Sequence, residues 1–333
     1  MSRSGNSMKA LIVDRAAGPF RPVQVERPIP AAGEVLVRIR ASGVNPLDAK
    51  IRAGGAPHAK QPLPAILGMD MAGEVVAVGP GVTGFNRGDE VYGMAGGVGG
   101  HQGTLAEFAA IDARLLALKP AHFSMREAAA MPLVFITAWE GLVDRARVGE
   151  GQKVLVQGGA GGVGHIAIQI ARAFGAKVYG TSSAGKRSIV EQSGATAIDY
   201  DAQPVEQYVG EHTGGAGFDI VYDCVGGAVL DASFKAVGRF GHVVSALGWG
   251  THALAPLSFK AASYSGIFTL LPLLTGIGRE HHGGIMREAT RLADAGKLNV
   301  IVDPRAFNME AASEAHAAIE KSDVRGKLVI EID

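Results

Sequence analysis

Between Leu155 and Arg187 the chain reads LVQGGAGGVGHIAIQIARAFGAKVYGTSSAGKR, and five of the seven residues from Gly158 to Gly164 are glycine. An apolar run of strand length, Lys153 to Gln157, leads into it, and apolar residues at helical spacing follow from Val163 to Phe174. A second strand pattern, Ala176 to Thr181, comes next. Strand, glycine turn, helix and strand within about 30 residues make a βαβ unit, which demands a parallel sheet covered by helices. Gly159, Gly161 and Gly164 satisfy G-x-G-x-x-G at the point where the strand gives way to the helix. There the glycines permit a tight turn and let backbone N–H groups at the helix start face a pyrophosphate favoured by the helix dipole. The pattern predicts a dinucleotide site.

The choice of dinucleotide is read roughly 20 residues on, where an NAD-selective site places an acid for the ribose 2′-hydroxyl. This chain has GTSSAGKR from Gly180 to Arg187, with two serines, then Lys186 and Arg187, and no Asp or Glu. A 2′-phosphate would meet donors and positive charge in place of repulsion, so NADPH is the expected cofactor over NADH. The plainer account of Lys186 and Arg187, the solvated first turn of a helix, leaves the missing acid as the stronger half of the argument.

The rest of the chain divides by rhythm. Short β-rich segments fill the first third: Met8 to Val13, Glu34 to Val44, Met71 to Gly79 and Gly88 to Met94, bounded by Gly, Pro and Asn. Beyond the glycine turn, a helix is expected around Lys186 to Ser193 and a buried strand within Phe218 to Gly227. Helices at Gly284 to Ala295 and Met309 to Lys321 precede a closing strand, Gly326 to Ile332, which is expected to rejoin the first module. At 333 residues, 47% of them hydrophobic, the chain is long enough for two domains of ordinary size.

Charge and cysteine content exclude other classes. Thirty-two basic residues balance thirty-two acidic ones with no basic stripe, so nucleic acid is not an expected partner. Cys224 is the one cysteine and cannot form an internal disulfide, which fits a reducing, cytoplasmic setting. Met1 to Ser7 has no apolar core of a signal peptide and reads as a disordered start, and no apolar run approaches the length of a membrane span.

The β-rich first third, MPLVFITAWEGL (Met131 to Leu142), the glycine turn and GATAIDY (Gly194 to Tyr200) together resemble the medium-chain dehydrogenase/reductase superfamily, and within it the zinc-independent quinone oxidoreductase and enone reductase branch. The resemblance runs from about Met8 to the end. It implies an α/β protein: a GroES-like β-rich catalytic domain from 8–130 with 276–333, a Rossmann doubly wound domain at 131–275, and a nicotinamide held in the cleft between them. It further implies Thr137 near the nicotinamide ribose and phosphates, Gly161, Gly162 and Val163 along the pyrophosphate, and Ser182, Ser183, Lys186 and Tyr200 about the 2′-phosphate. A homodimer is expected.

Zinc is not expected. Where the alcohol dehydrogenases of the superfamily carry an early cysteine ligand, this chain has SGVNPLDAKIRAGG (Ser42 to Gly55), and where they carry Gly-His-Glu it has Met69 and Asp70. One cysteine rules out a four-cysteine structural site. Cys224 reads as a small buried residue beside the cofactor, and the adjacent His281 and His282 as solvated surface. By resemblance the 42–55 segment lines the cleft opposite the nicotinamide, so Asn45 is the leading candidate donor to a carbonyl oxygen gathering charge, with Lys50 second. Asn-Pro also initiates turns. Asp48 reads as structural, Tyr92 as packed before a cleft phenol, and apolar residues around Phe135 and from Gly266 to Gly276 as a hydrophobic pocket wall, the latter stretch equally as a buried helix or a dimer contact. A quinone or an α,β-unsaturated carbonyl suits a site with neither metal nor evident acid. A zinc-free alcohol dehydrogenase or carbonyl reductase and a noncatalytic NADPH-binding sensor stay open as alternatives.

Overall fold

The computed structural model describes residues 6–332. Residues 1–5, most of the start read as disordered, lie outside the described residues, whereas Ser7 already opens the first strand. In chain order the elements are β1 (Ser7–Val13), β2 (Phe20–Glu26), β3 (Glu34–Val44), α1 (Pro46–Ala53), β4 (Ala65–Ile66), β5 (Asp70–Val78), β6 (Glu90–Met94), β7 (Phe108–Asp112) and β8 (Leu116–Leu118). Next come α2 (Met125–Ala129), α3 (Pro132–Trp139), β9 (Lys153–Gln157), α4 (Gly162–Ala173), β10 (Lys177–Ser182), α5 (Arg187–Gln192) and β11 (Thr196–Asp199). They are followed by α6 (Val205–Thr213), β12 (Phe218–Asp223), α7 (Ala228–Ala236), β13 (Val237–Ser245), α8 (Ala255–Ser258) and β14 (Ser263–Gly266). The chain closes with α9 (Leu271–Thr275), α10 (Arg279–Asp294), β15 (Phe307–Asn308), α11 (Ala312–Glu320) and β16 (Leu328–Glu331).

Contacts divide the chain into two units, Met1–Leu133 with Leu270–Ala295 and Val300–Asp333, and Val134–Thr269 with Gly296–Asn299. The first holds a seven-stranded sheet, β15-β16-β3-β5-β6-β8 with β7 also on β3, and a three-stranded one, β2-β1-β4. The strand from the chain's end pairs antiparallel with β3, Leu328 opposite Val44. Val35, Val37, Ile39, Met71, Val75, Leu116, Leu328 and Ile330 build a common core there, because period-two alternation turns them to one face.

The second unit is a six-stranded sheet ordered β11-β10-β9-β12-β13-β14, with every pairing parallel. Counted from β9 this is the order 3-2-1-4-5-6 of the doubly wound dinucleotide fold. Its strands are apolar on both sides, as in KVLVQ and FDIVYD, since helices cover both faces. Sheet order reverses between β9 and β12, and their carboxyl ends open the crevice where such folds take ligands.

Two sequence expectations are corrected here. The last long helix begins at Arg279, five residues before the predicted start, because its opening REHHGG carries charge and two glycines that mask helical periodicity. As a result His282 falls on its buried face with Ile285, Met286 and Ala289, and only His281 is exposed. Phe135 is fully buried and stacks on Trp139 at 5.6 Å, a core contact. Tyr92 is packed as expected, its hydroxyl donating to Met286 O at 2.9 Å.

Helix α11 packs on α1, and His316 is buried where they meet. Its ring stands edge-on to Phe20 at 4.8 Å, with its Nδ1 unbonded among the described residues. Burial, and then the Arg52 cation beside it, hold its pKa down at about 4. A histidine whose folded pKa lies below its unfolded value of 6.5 contributes fully above that pH and loses the contribution as pH falls toward 4. Wild type is therefore expected to lose about 2–3 kcal/mol more than His316→Gln between pH 7 and 4.5. Urea titrations at the two pH values check this, and equal acid sensitivity would refute it.

Candidate active site

The glycine turn leaves the carboxyl end of β9 at the point where the sheet order reverses. Gly158 adopts φ +73°, a conformation that favours glycine, and its carbonyl accepts from Gly161 N at 3.0 Å to close the turn. Helix α4 then starts against it so closely that a Cβ on Gly164 would overlap the Gly158 carbonyl oxygen and stand 2.8 Å from Gly159 Cα. Gly161 is the exposed N-cap, and the first N–H groups of α4, on Gly162 and Val163, have no intrahelical acceptor. A turn in which Gly164 must lack a side chain for α4 to start this close, opening onto amide donors at the helix start, fits a dinucleotide pyrophosphate.

The remaining expected cofactor residues of this unit lie on β10 and β12 or the segments after them, and on α3 and after β11. Ser182 ends β10, and its carbonyl accepts from Tyr200 N at 3.3 Å, so the serine run and the tyrosine are adjacent. Ser183 caps a short helical turn over 184–186, its carbonyl accepting from Lys186 N at 3.0 Å. Lys186 is exposed, as is Arg187, which pairs with Glu191 at 2.7 Å. Cys224 follows β12 beside the turn, its Cβ 3.8 Å from the place of a Cβ on Gly158, and burial pushes its thiol pKa well up. Thr137, nearly buried on α3, shares a hydroxyl contact of 3.1 Å with Thr269, and its carbonyl accepts from Tyr222 at 2.8 Å.

Sequence reasoning missed the side chains that fix this crevice. Asp223, fully buried at the end of β12, accepts from Val225 and Gly226 amides and from Ser245 Oγ at 2.6 Å. Gln157 and Thr181, on the neighbouring strands, are bonded at 2.9 Å. Their signal was a polar residue at the last position or two of an otherwise apolar parallel strand.

The first unit holds a different polar cluster. Pro46 opens α1, and its N-cap Asn45 donates its backbone N–H to Asp48 Oδ2 at 2.8 Å. Asn45 is completely buried, its Nδ2 donating to Asp70 Oδ2 at 2.9 Å and its Oδ1 accepting from the Lys327 ammonium. That ammonium also donates to Val44 O at 3.2 Å, while the second Asp70 oxygen accepts from Leu133 N at 3.0 Å. Burial pushes the Asp48 carboxyl up to about 7 and that of Asp70 to about 6, against the pull of Lys327 and the Asn45 hydrogen bonds. The same burial lowers the Lys327 pKa, opposed by both carboxylates.

Asn45 was expected to donate to a substrate oxygen; here its amide is engaged by Asp70 and Lys327 within the first unit. An amide with no exposed surface, oriented by a cation on one side and a carboxylate on the other, holds the 42–53 turn in shape. Lys50 is exposed on α1 and outside the cluster, a solvated cation. Met69 is fully buried, and among the described residues no three His, Cys, Asp or Glu side chains gather at metal-binding range.

Comparison with known proteins finds relatives along most of the chain. Residues 31–121 match the model of the alcohol dehydrogenase GroES-like domain, and residues 194–330 match that of the zinc-binding dehydrogenase. The 2-methylene-furan-3-one reductase of Solanum lycopersicum is 37% identical over 305 residues, 89% of this chain and 71% of that protein. The chloroplastic NADPH-dependent alkenal/one oxidoreductase of Arabidopsis thaliana is 34% identical, over 89% of this chain and 72% of its own length. Among solved structures, an alcohol dehydrogenase superfamily protein from Novosphingobium aromaticivorans superposes with a TM-score of 0.96 at 60% identity, covering 98% of this chain and all of that one.

Proposed function

Because the chain belongs to the medium-chain dehydrogenase/reductase superfamily, we propose that it is an NADPH-dependent oxidoreductase that reduces enones and alkenals, or quinones as their vinylogues, without zinc. One observation carries the reading: the glycine cradle at the sheet's switch point runs, through β10, into a segment with serines and a lysine and no acid.

The nicotinamide, when bound, supplies a hydride. The chain's part is to hold the dinucleotide at the amides of Gly162 and Val163, to offer Ser183 and Lys186 to a 2′-phosphate, and to orient the acceptor against the nicotinamide. In an enone the β carbon takes the hydride and the carbonyl oxygen takes the charge. A proton from water at the α carbon then completes the saturated product, so neither a Lewis acid nor a protein acid is required. A homodimer and a cytoplasmic setting belong to the same reading. The first is supported by the open edge strand β14 and by Trp249, Leu254, Phe259 and Tyr264 exposed near it in sequence. The second is supported by the single cysteine. No helix among the described residues is long and apolar enough to cross a membrane.

Chelator-treated protein is expected to oxidise NADPH with enones, alkenals and quinones and to leave saturated ketones untouched. Turnover of saturated carbonyls that vanishes on chelation would establish the zinc dehydrogenase alternative, and no turnover with any acceptor would leave a nucleotide-binding sensor.

A further inference from the structure

We propose that Thr181 is a positioning residue whose hydroxyl ties the glycine turn to the segment that reads the dinucleotide's 2′ group; this rests on the NADPH reading above. Thr181 is the penultimate residue of β10 and is buried. Its Oγ1 accepts from Gly158 N–H at 3.0 Å and donates to Gln157 Oε1 at 2.9 Å, and its main-chain carbonyl accepts from Gly159 N–H at 2.8 Å. Gln157 in turn donates through Nε2 to the Tyr208 hydroxyl at 3.3 Å.

The direction of these bonds matters. Gly158 N–H feeds the Thr181 hydroxyl, and that hydroxyl feeds Gln157, so each donor is polarised by the one before it and the chain is stronger than its separate links. Gly158, at φ +73°, donates its N–H inward to β10. The first amides of α4 are thereby left as the donors for a pyrophosphate. The next residues after Thr181 are Ser182, bonded to Tyr200, and Ser183, bonded to Lys186. One side chain therefore sets the register between the turn, which grips what NADPH and NADH share, and the run 182–186, which meets what they do not.

Thr181→Val keeps the β-branched shape that β10 packs and removes the hydroxyl alone, leaving the Gly158 amide and the Gln157 amide oxygen without this partner. With turn and segment uncoupled, NADPH cannot satisfy both at once, whereas NADH depends on the turn only. Calorimetry is expected to show NADPH binding weakened about tenfold, or ~1.4 kcal/mol, NADH weakened less, and the preference between them narrowed. Thr181→Ser, which keeps the hydroxyl, should restore both affinities to within about twofold. Gln157→Met, which breaks the chain one link away, should narrow the preference in the same direction, and it tests the coupling should Thr181→Val fail to fold. Equal loss for the two nucleotides, or no loss, in Thr181→Val and Gln157→Met alike would overturn the proposal. A wild-type protein that binds NADPH and NADH equally would instead overturn the NADPH reading on which it stands.

Discussion

Lys327→Met is expected to destabilise the protein by about 3–5 kcal/mol, the range found when one partner of a buried ionic group is removed. Lys327 is 4% exposed, and its ammonium bonds Asn45 and acts on both Asp48 and Asp70. Without it, two buried carboxyls face each other across Asn45, and one Asp48 oxygen already lacks a hydrogen-bond partner. Methionine fills most of the volume, so the loss reports the charge. Two further results are expected from the same cause. Adding Asp70→Asn should recover part of the loss in a double-mutant cycle, since the pair shares a network. The deficit should also shrink as pH falls from 8 to 5. Carboxyls whose folded pKa is raised by burial bind more protons folded than unfolded, so acid favours the fold of a variant that has lost its ammonium. Urea titrations at pH 7 check the magnitude, and a loss below about 1 kcal/mol would show that the carboxyls simply take up protons.

Gly164→Ala should weaken dinucleotide binding on the order of 100-fold, the penalty for moving a positioned group by about an ångström. Its added Cβ would enter the Gly158 carbonyl, part of a backbone turn with no flexible side chain to give way. To relieve the overlap, α4 must shift away from β9, and the Gly162 and Val163 amides go with it. The control is Gly210→Ala on α6, where a Cβ meets nothing within 4 Å; it should bind as wild type and gain a little stability from helix propensity. Fluorescence titration with NADPH separates the two variants. Unchanged binding in Gly164→Ala would mean that the turn does not carry the pyrophosphate.

Both variants bear on how much was legible beforehand. The parallel unit was plain in the sequence because strands buried on both faces spell apolar runs and each ends in a glycine or polar break. Lys153 to Gln157 was read to its residues, and β10 to within one at each end. Strand β2 was not read, because FRPVQVE carries a proline and few core residues, as suits a strand at the edge of its sheet. The cradle glycines were legible because backbone approach removes side chains in a fixed pattern. Asn45 illustrates the opposite case. Its place before Pro46 drew notice, but its hydrogen-bond partners, Asp70 and Lys327, come from 25 and 282 residues away, and no local pattern announces them. Thr181 was hidden for a milder reason: threonine is an ordinary strand residue, and only the register of β9 against β10 reveals that its hydroxyl faces the turn.

The long reach from Asn45 to Lys327 also bears on the order in which a ribosome-borne chain can settle. Nearly all of the second unit, 134–269, is one continuous stretch that emerges with its six strands in hand. The first unit begins earlier yet waits for β16 and the lysine beside it before β3 gains its last neighbour and the acid cluster its counter-charge. Translation from the amino end therefore completes the later domain first, and the earlier one, with a buried pair of carboxyls still unneutralised, is the part exposed to chaperones and proteases while synthesis runs to its close.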